Sequence, residues 1–598
     1  MAQYHAPLKD MKFILEEMAD LRNIERLPGR EEVTSELAWA ILHEADRFAS
    51  GVLAPLNAIG DRQGCRWSDA GVTTAPGWAD AYLRFQQAGW VGLSLPKEFG
   101  GQGLPKLIAT AVWEMWFSAN MAFAMAPQLN NGQAAALLLA ASEEIKATYL
   151  PKLVSGQWAG TMNLTEPQAG SDLAATRMRA ETHPDGSYRL FGQKIFISYG
   201  YHDLTENIIH LVLARLPDAP PGVKGISLFV VPKRLINADG SLGARNDVRC
   251  IAIEHKMGIH GSPTCTMSYG EGGGAVGFLV GEPNRGLEYM FVMMNDARFG
   301  VGVQGFALGE IAYQHALTYA RERVQGRDAV TGISNVPIIC HPDVKRMLLA
   351  MRSRVMAPRM LAYAAAGWHD QLHYNPDRSV ANKCGRYLEL LMPVIKGWGT
   401  ELGNEAADIA IQVFGGSGYV EETGVAQVRR DARIITIYEG TTGIQANDLI
   451  GRKLLREGGE TLKMLLGEMR NSAKELLSAP EIRSLGASLN TDLDILENTT
   501  RWILVNGREH LAEVLAGAVP FLHLLGTVCG SWQMGQAALA ARKKLAVSDE
   551  AYYRGIIDLA RFWFTHNATQ VPSLGRIVCE GGTALANFDP EALFSSAS

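Results

Sequence analysis

The stretch Asp431–Thr442, DARIITIYEGTT, sets one carboxylate, Glu439, between an apolar run and a Gly-Thr-Thr turn. The run Ile434–Tyr438 is β-branched and aromatic, which predicts a strand-like segment packed into a core, with Glu439 emerging where buried chain becomes turn. A carboxylate so placed can be desolvated and still reach a ligand, which makes Glu439 a candidate general base and the protein a candidate enzyme. For any single glutamate at a turn, solvated surface is the commoner outcome. The surrounding chain therefore has to decide.

From 287 to 455, the block that this turn closes, apolar residues recur at three- and four-residue spacing, the mark of amphipathic helices. The same periodicity runs through residues 1–160. Between them, 161–286 breaks into short apolar or alternating runs separated by Gly, Pro and Asp, which predicts a compact β domain. A further helical region, 456–598, follows the polar Arg456–Glu460 (REGGE), read as a linker to an appended domain. Within it Val514–Ala541 carries no formal charge and is long enough to cross a bilayer. Pro520, His523, Gln533, Gln536 and repeated glycines interrupt it, so it is read as buried bundle helix.

The chain has 598 residues, 47% hydrophobic and 20% charged, with a net charge of −6. That is ordinary globular composition with no basic face for nucleic acid. The N-terminal MAQYHAPLKDMKF lacks both the apolar core of a signal peptide and the arginine-rich pattern of a transit peptide, so a cytoplasmic location without membrane insertion is expected. Seven scattered cysteines without a CxxC or Cys/His cluster predict reduced thiols, with neither disulfides nor a metal site.

Three further motifs fit one kind of site. Met162–Asp172 (MNLTEPQAGSD) offers hydroxyls, small residues and backbone amides suited to a flat polar heterocycle and a phosphate. Lys194–Gly200 (KIFISYG) sets Phe196 and Ser198 on one side of a strand, one able to cover an aromatic ring and the other to hydrogen-bond it; alone, it reads first as ordinary strand packing. Gln412 precedes Gly415, Gly416 and Gly418 in IQVFGGSGYV, a helix ending in a glycine turn where backbone can approach a ligand or simply stop the helix.

Together these segments resemble the acyl-CoA dehydrogenase family. MNLTEPQAGSD, KIFISYG, EHKMGIHGSPTC (Glu254–Cys265), GEPNRGLEYM (Gly281–Met290), NDARFGVGVQG (Asn295–Gly305), QVFGGSGY and IYEGTTGIQ stand in family order at family-like spacing, over about residues 35–455. The resemblance implies a mainly α fold with a central β domain: an N-terminal helical domain, a β-barrel domain, a four-helix domain and, here, an appended C-terminal helical domain. It implies FAD and an acyl-CoA substrate. Met162, Leu164, Thr165, Phe196 and Ser198 would line the flavin, and Ser171 would help hold the CoA moiety. Arg323, Gln412 and Gly416 would reach the FAD of a neighbouring subunit, and Thr441 would meet FAD near the base. Asn295 and Arg298 match a helix beside the acyl-CoA. Some relatives carry the base just before the arginine matched by Arg298; here that residue is Ala297, which leaves Glu439.

Two positions depart from the family pattern. Arg323–Arg327 (RVQGR) lacks the usual aromatic residue, and Gly443 stands where many relatives have a longer polar side chain. The length resembles the long subclass that includes very-long-chain and 3-methylmercaptopropionyl-CoA enzymes, which implies a homodimer and an electron-transfer flavoprotein as acceptor. A fatty acyl-CoA entering β-oxidation and the short thioether 3-methylmercaptopropionyl-CoA are both open as substrates. An oxygen-using acyl-CoA oxidase and a non-catalytic acyl-CoA-binding scaffold are the alternatives of the same fold.

Overall fold

A computed structural model describes residues 4–19, 21–548, 550–586 and 588–594. The chain divides into two compact units, one made mainly of 39–300 and the other mainly of 7–38 and 301–598.

In the first unit the long helix α1 (Lys106–Ala140) is almost wholly buried. Its Trp116 sits edge-on to Phe48, Phe85 and Trp90, with ring centroids 5.7, 5.4 and 5.2 Å away, so it belongs to an aromatic core. The chain then enters an eight-stranded sheet: β1 (Trp158–Asn163), β2 (Arg179–Thr182), β3 (Tyr188–Ser198), β4 (Asn207–Arg215), β5 (Ile226–Pro232), β6 (Val248–Ile253), β7 (Thr264–Tyr269) and β8 (Ala275–Val280). Strand order is β6-β7-β3-β8-β5-β4-β1, with β2 pairing β3 and β4. Strands β4 and β5 are buried along nearly their whole length, which is why their sequences read as continuous apolar runs. Asn130 of α1 ties helix to sheet: its amide donates to the Leu153 and Trp158 carbonyls and its oxygen accepts from the Gly160 amide, at 2.8–2.9 Å.

The helix α2 (Gly286–Glu322) leads into the second unit, where α3 (Pro342–Tyr374) and α4 (Arg378–Phe414) form a long packed pair. The short α5 (Val425–Ala432) and α6 (Thr442–Asp448) bracket the Glu439 turn. A seven-residue π-helical segment, Leu449–Leu455, then leads to α7 (Glu460–Ser478), α8 (Arg483–Asn506) and α9 (Ala518–Leu545). The uncharged stretch of the sequence thus becomes mostly α9, buried around nearly its whole circumference. A side chain at Gly526 would lie 2.3 Å from Trp398, and one at Gly530 would lie 2.4 Å from Trp563. Among the described residues no helix is long and apolar enough to cross a membrane.

Candidate active site

The Glu439 turn departs from its sequence reading. Arg433–Thr436 is a 3-10 turn continuing α5, and Ile437–Glu439 is irregular turn, not strand. Tertiary contacts override the β propensity of the three isoleucines. Ile435 is buried, and Asn404 of α4 donates at 2.8 Å to the Ala432 carbonyl at the end of α5, which favours a helical ending.

Glu439 itself has φ +56°, the left-handed region that residues other than glycine rarely occupy, at a cost of about 1–3 kcal/mol. Three side chains from separate helices hold it there. Lys396 of α4, with no exposed surface, donates to the Gly440 carbonyl at 2.7 Å. Gln445 of α6 donates to the Glu439 carbonyl at 3.0 Å, and the Tyr438 hydroxyl donates to Gln304 of α2. Burial pushes the Tyr438 phenol above its ordinary range, and the nearby Glu439 charge pushes it further. Gly440 is required: its φ is +93°, and a side chain there would lie 2.8 Å from the Gln445 amide. Thr441 caps α6, its hydroxyl accepting from the Ile444 amide at 3.3 Å, which leaves the hydroxyl proton available. A side chain at Gly443 would meet only Thr441, at 3.9 Å.

The candidate flavin residues of the sheet unit form a second group. Between Lys194 and Ile197 of β3, two residues oppose the single Thr266 of β7, a β-bulge that includes Phe196. Phe196 has φ +59° and keeps 58% of its surface exposed, an aromatic ring held out of the core at a strained residue. The Ile195 amide donates to the Thr165 carbonyl at 2.9 Å, which brings the MNLTEP loop alongside the bulge. Neither the Thr165 nor the Ser198 hydroxyl bonds to another described residue, and both are partly exposed. A ring to cover and two spare hydroxyls beside it fit a flat polar heterocycle such as a flavin. Met162 is half-buried on β1, Leu164 is buried, and Ser171 is exposed in the turn that follows.

Beneath this loop is an ion pair that sequence reasoning missed. Lys194, fully buried, donates to Glu166 at 2.8 Å and to the Leu164 carbonyl at 2.9 Å. Glu166 also accepts from the Arg177 and Met178 amides, at 2.8 and 3.1 Å. Burial works to raise the Glu166 carboxyl, but the Lys194 charge and these hydrogen bonds outweigh it and hold it below the usual carboxylate range.

On α2, Arg298 is buried and donates to the exposed Asn295 at 3.4 Å. Arg323, just past the end of α2, is exposed and has Gln325 as a side-chain partner at 3.4 Å. Tyr319 and Phe414 stack at 4.1 Å, pinning the C-terminal end of α2 to that of α4, so that Arg323 and the exposed Gln412 and Gly416 share one region. Gly415, at φ +61°, ends α4 as the glycine turn predicted. Gly416 has open space around it, while a side chain at Gly418 would lie 2.5 Å from the Ile411 carbonyl.

The helical unit thus carries a strained carboxylate, Glu439, and the β-containing unit carries an exposed ring with two spare hydroxyls beside it, two groups suited to an oxidoreductase. Residues 36–157, 161–271 and 284–455 match the acyl-CoA dehydrogenase N-terminal, middle and C-terminal domains, and 465–589 matches a domain described as acetyl-CoA dehydrogenase C-terminal like. The chain belongs to the acyl-CoA dehydrogenase family of FAD-dependent oxidoreductases. It is 46% identical to a 3-methylmercaptopropionyl-CoA dehydrogenase of Ruegeria pomeroyi, over 92% of this chain and 93% of that one. It is 34% identical to a butyryl-CoA dehydrogenase of Syntrophomonas wolfei, over 94% of each. An acyl-CoA dehydrogenase from Bacillus anthracis, solved with FAD, superposes with a TM-score of 0.74 over 98% of this chain and 94% of its own, at 20% identity, and shares the fold.

Proposed function

We propose that the chain dehydrogenates a short acyl-CoA thioester, with 3-methylmercaptopropionyl-CoA its preferred substrate and Glu439 its base. The likeness to the Ruegeria enzyme along the full chain supports the substrate, and the clamped left-handed turn supports the base. Glu439 takes the α-proton, and its backbone N–H donates to the thioester oxygen as charge develops there. Lys396, Gln445 and Gln304 keep the carboxylate from relaxing away from its task. Phe196, Thr165 and Ser198, with Met162 and Leu164, hold FAD, which when bound accepts the β-hydrogen as hydride. Asn295, Arg298 and Ser171 position the acyl-CoA.

Arg323, Gln412, Gly416 and Thr441 complete the cofactor contacts, the first three in a homodimer. The strongly exposed Tyr419 (90%) and Val330 (89%), close in sequence to those residues, support a partner surface. Electrons pass to an electron-transfer flavoprotein in the cytoplasm, where seven unpaired thiols are at home. The butyryl-CoA relatives favour a second short substrate, which also serves β-oxidation. Turnover of 3-methylmercaptopropionyl-CoA, butyryl-CoA and longer acyl-CoAs by the purified enzyme tests the reading. The highest kcat/KM is expected for the thioether; a maximum at a long chain would overturn it.

A further inference from the structure

In the helical unit, lined by none of the residues of the Glu439 turn, lies a concavity of about 410 Å³ at the junction of α4, the π-helical segment and α7. Its lining brings together Arg386 of α4 with Arg452, Lys453 and Arg456, against two carboxylates, Glu389 and Glu457. The REGGE segment that the sequence marked as a linker builds one wall. Gly458 and Gly459, at φ +72° and +76°, turn the chain there from the π-segment into α7.

The acids are already engaged. Arg386 donates to Glu457 at 2.7 Å and to Thr461 at 2.9 Å, Lys453 lies 3.4 Å from Glu389, and Arg452 pairs with Asp448 just outside the lining. Arg456 has no side-chain partner among the described residues. Cations therefore outnumber acids in a concavity on a chain whose net charge is −6. A solvated charged face needs no concavity and no rare backbone. Here Arg452 and Lys453 lie within a π-helical segment, a geometry found often at functional sites, and Arg456 caps it. Guanidinium forks match phosphate oxygens two at a time, and the volume is within the range of small-ligand sites.

We propose that this cleft binds the diphosphate group of a nucleotide, with Arg456 and Lys453 as its main anion contacts and Arg386, oriented by Glu457 and Thr461, as its fixed wall. Two sources carry that chemistry: the CoA moiety of a thioester, and a free nucleotide such as ADP.

Titration calorimetry of the FAD-loaded enzyme with inorganic pyrophosphate, ADP and CoA tests the proposal, using Arg456→Glu and Lys453→Glu, with Arg576→Glu as an exposed control. Pyrophosphate is expected to bind the wild type and the control alike, and about ten-fold or more weaker in either cleft variant, the loss of one charge-assisted contact. If the KM for acyl-CoA rises in Arg456→Glu while that for the matching acyl-pantetheine stays put, the source is CoA. If ADP binding weakens and both KM values hold, the source is a free nucleotide. Binding of all three ligands that is unchanged in both variants, or absent from the wild type, overturns the proposal. The calorimetric arm needs no turnover, so its failure leaves the dehydrogenase reading standing.

Discussion

Glu439 and Phe196 are both residues other than glycine held at positive φ, yet the two units hold them by different means. The Glu439 turn lies between helices and is fixed from three directions: Lys396 and Gln445 reach its backbone carbonyls, and the Gln304 side chain accepts from the Tyr438 hydroxyl. Phe196 lies in a sheet and is fixed by strand register, one extra residue in β3, with the buried Lys194–Glu166 pair under the adjoining loop. A helical surface has few spare backbone groups, so the turn borrows long side chains; a sheet already carries a ladder that a bulge can bend. The contrast predicts that the sheet site fails by losing stability and the helical site by losing precision.

The largest effect should follow Lys194→Met. It strands the Glu166 carboxylate in a buried site, which costs about 3–5 kcal/mol and lowers the melting temperature by roughly 10 °C. The native Glu166 carboxyl is held low, so its contribution is present above the ordinary carboxylate pKa of 4.5 and is lost as pH falls through the lower folded value. In the variant the stranded carboxylate is penalised at neutral pH and relieved by protonation. The gap to wild type should therefore narrow as pH falls. Glu166→Leu in the same chain should recover part of the loss. A single variant that melts like wild type would break the comparison.

Next in size, Lys396→Met should cut kcat about 100-fold by letting the Glu439 turn shift, while the flavin spectrum and acyl-CoA binding stay near wild type. Flavin loss instead would mark Lys396 as a general support of the fold. The smallest effect on stability should come from Glu439→Gly, which removes the left-handed strain and raises stability by about 1 kcal/mol, read as a small rise in melting temperature, even as activity disappears. A lower melting temperature would show that the carboxylate makes contacts worth more than the strain.

A turn at Glu439–Thr441 was legible from its Gly-Thr-Thr sequence, and the glycine stop after α4 was legible from local chemistry. The strand-like reading of Ile434–Tyr438 failed because β propensity reports a fit to a sheet surface, and no strand lies there to receive it. Lys396, Gln445 and Gln304 were not legible as clamps, since a lysine inside an apolar helix does not announce which carbonyl it will meet. Lys194 and Glu166 stood inside two of the quoted motifs, yet 28 residues separate them, and their pairing exists only once the loop folds over β3. Positive φ at Phe196 and Glu439 has no signal in residue type, which would have suggested glycine or asparagine.

Anaerobic stopped-flow reduction of the bound flavin in Glu439→Gln tests most directly whether Glu439 takes the substrate's α-proton. The amide keeps the size and shape of the side chain but is not a base. Normal FAD content and acyl-CoA binding are expected, with flavin bleaching slowed by about three orders of magnitude or more. Bleaching at the wild-type rate would contradict this role and place the base elsewhere.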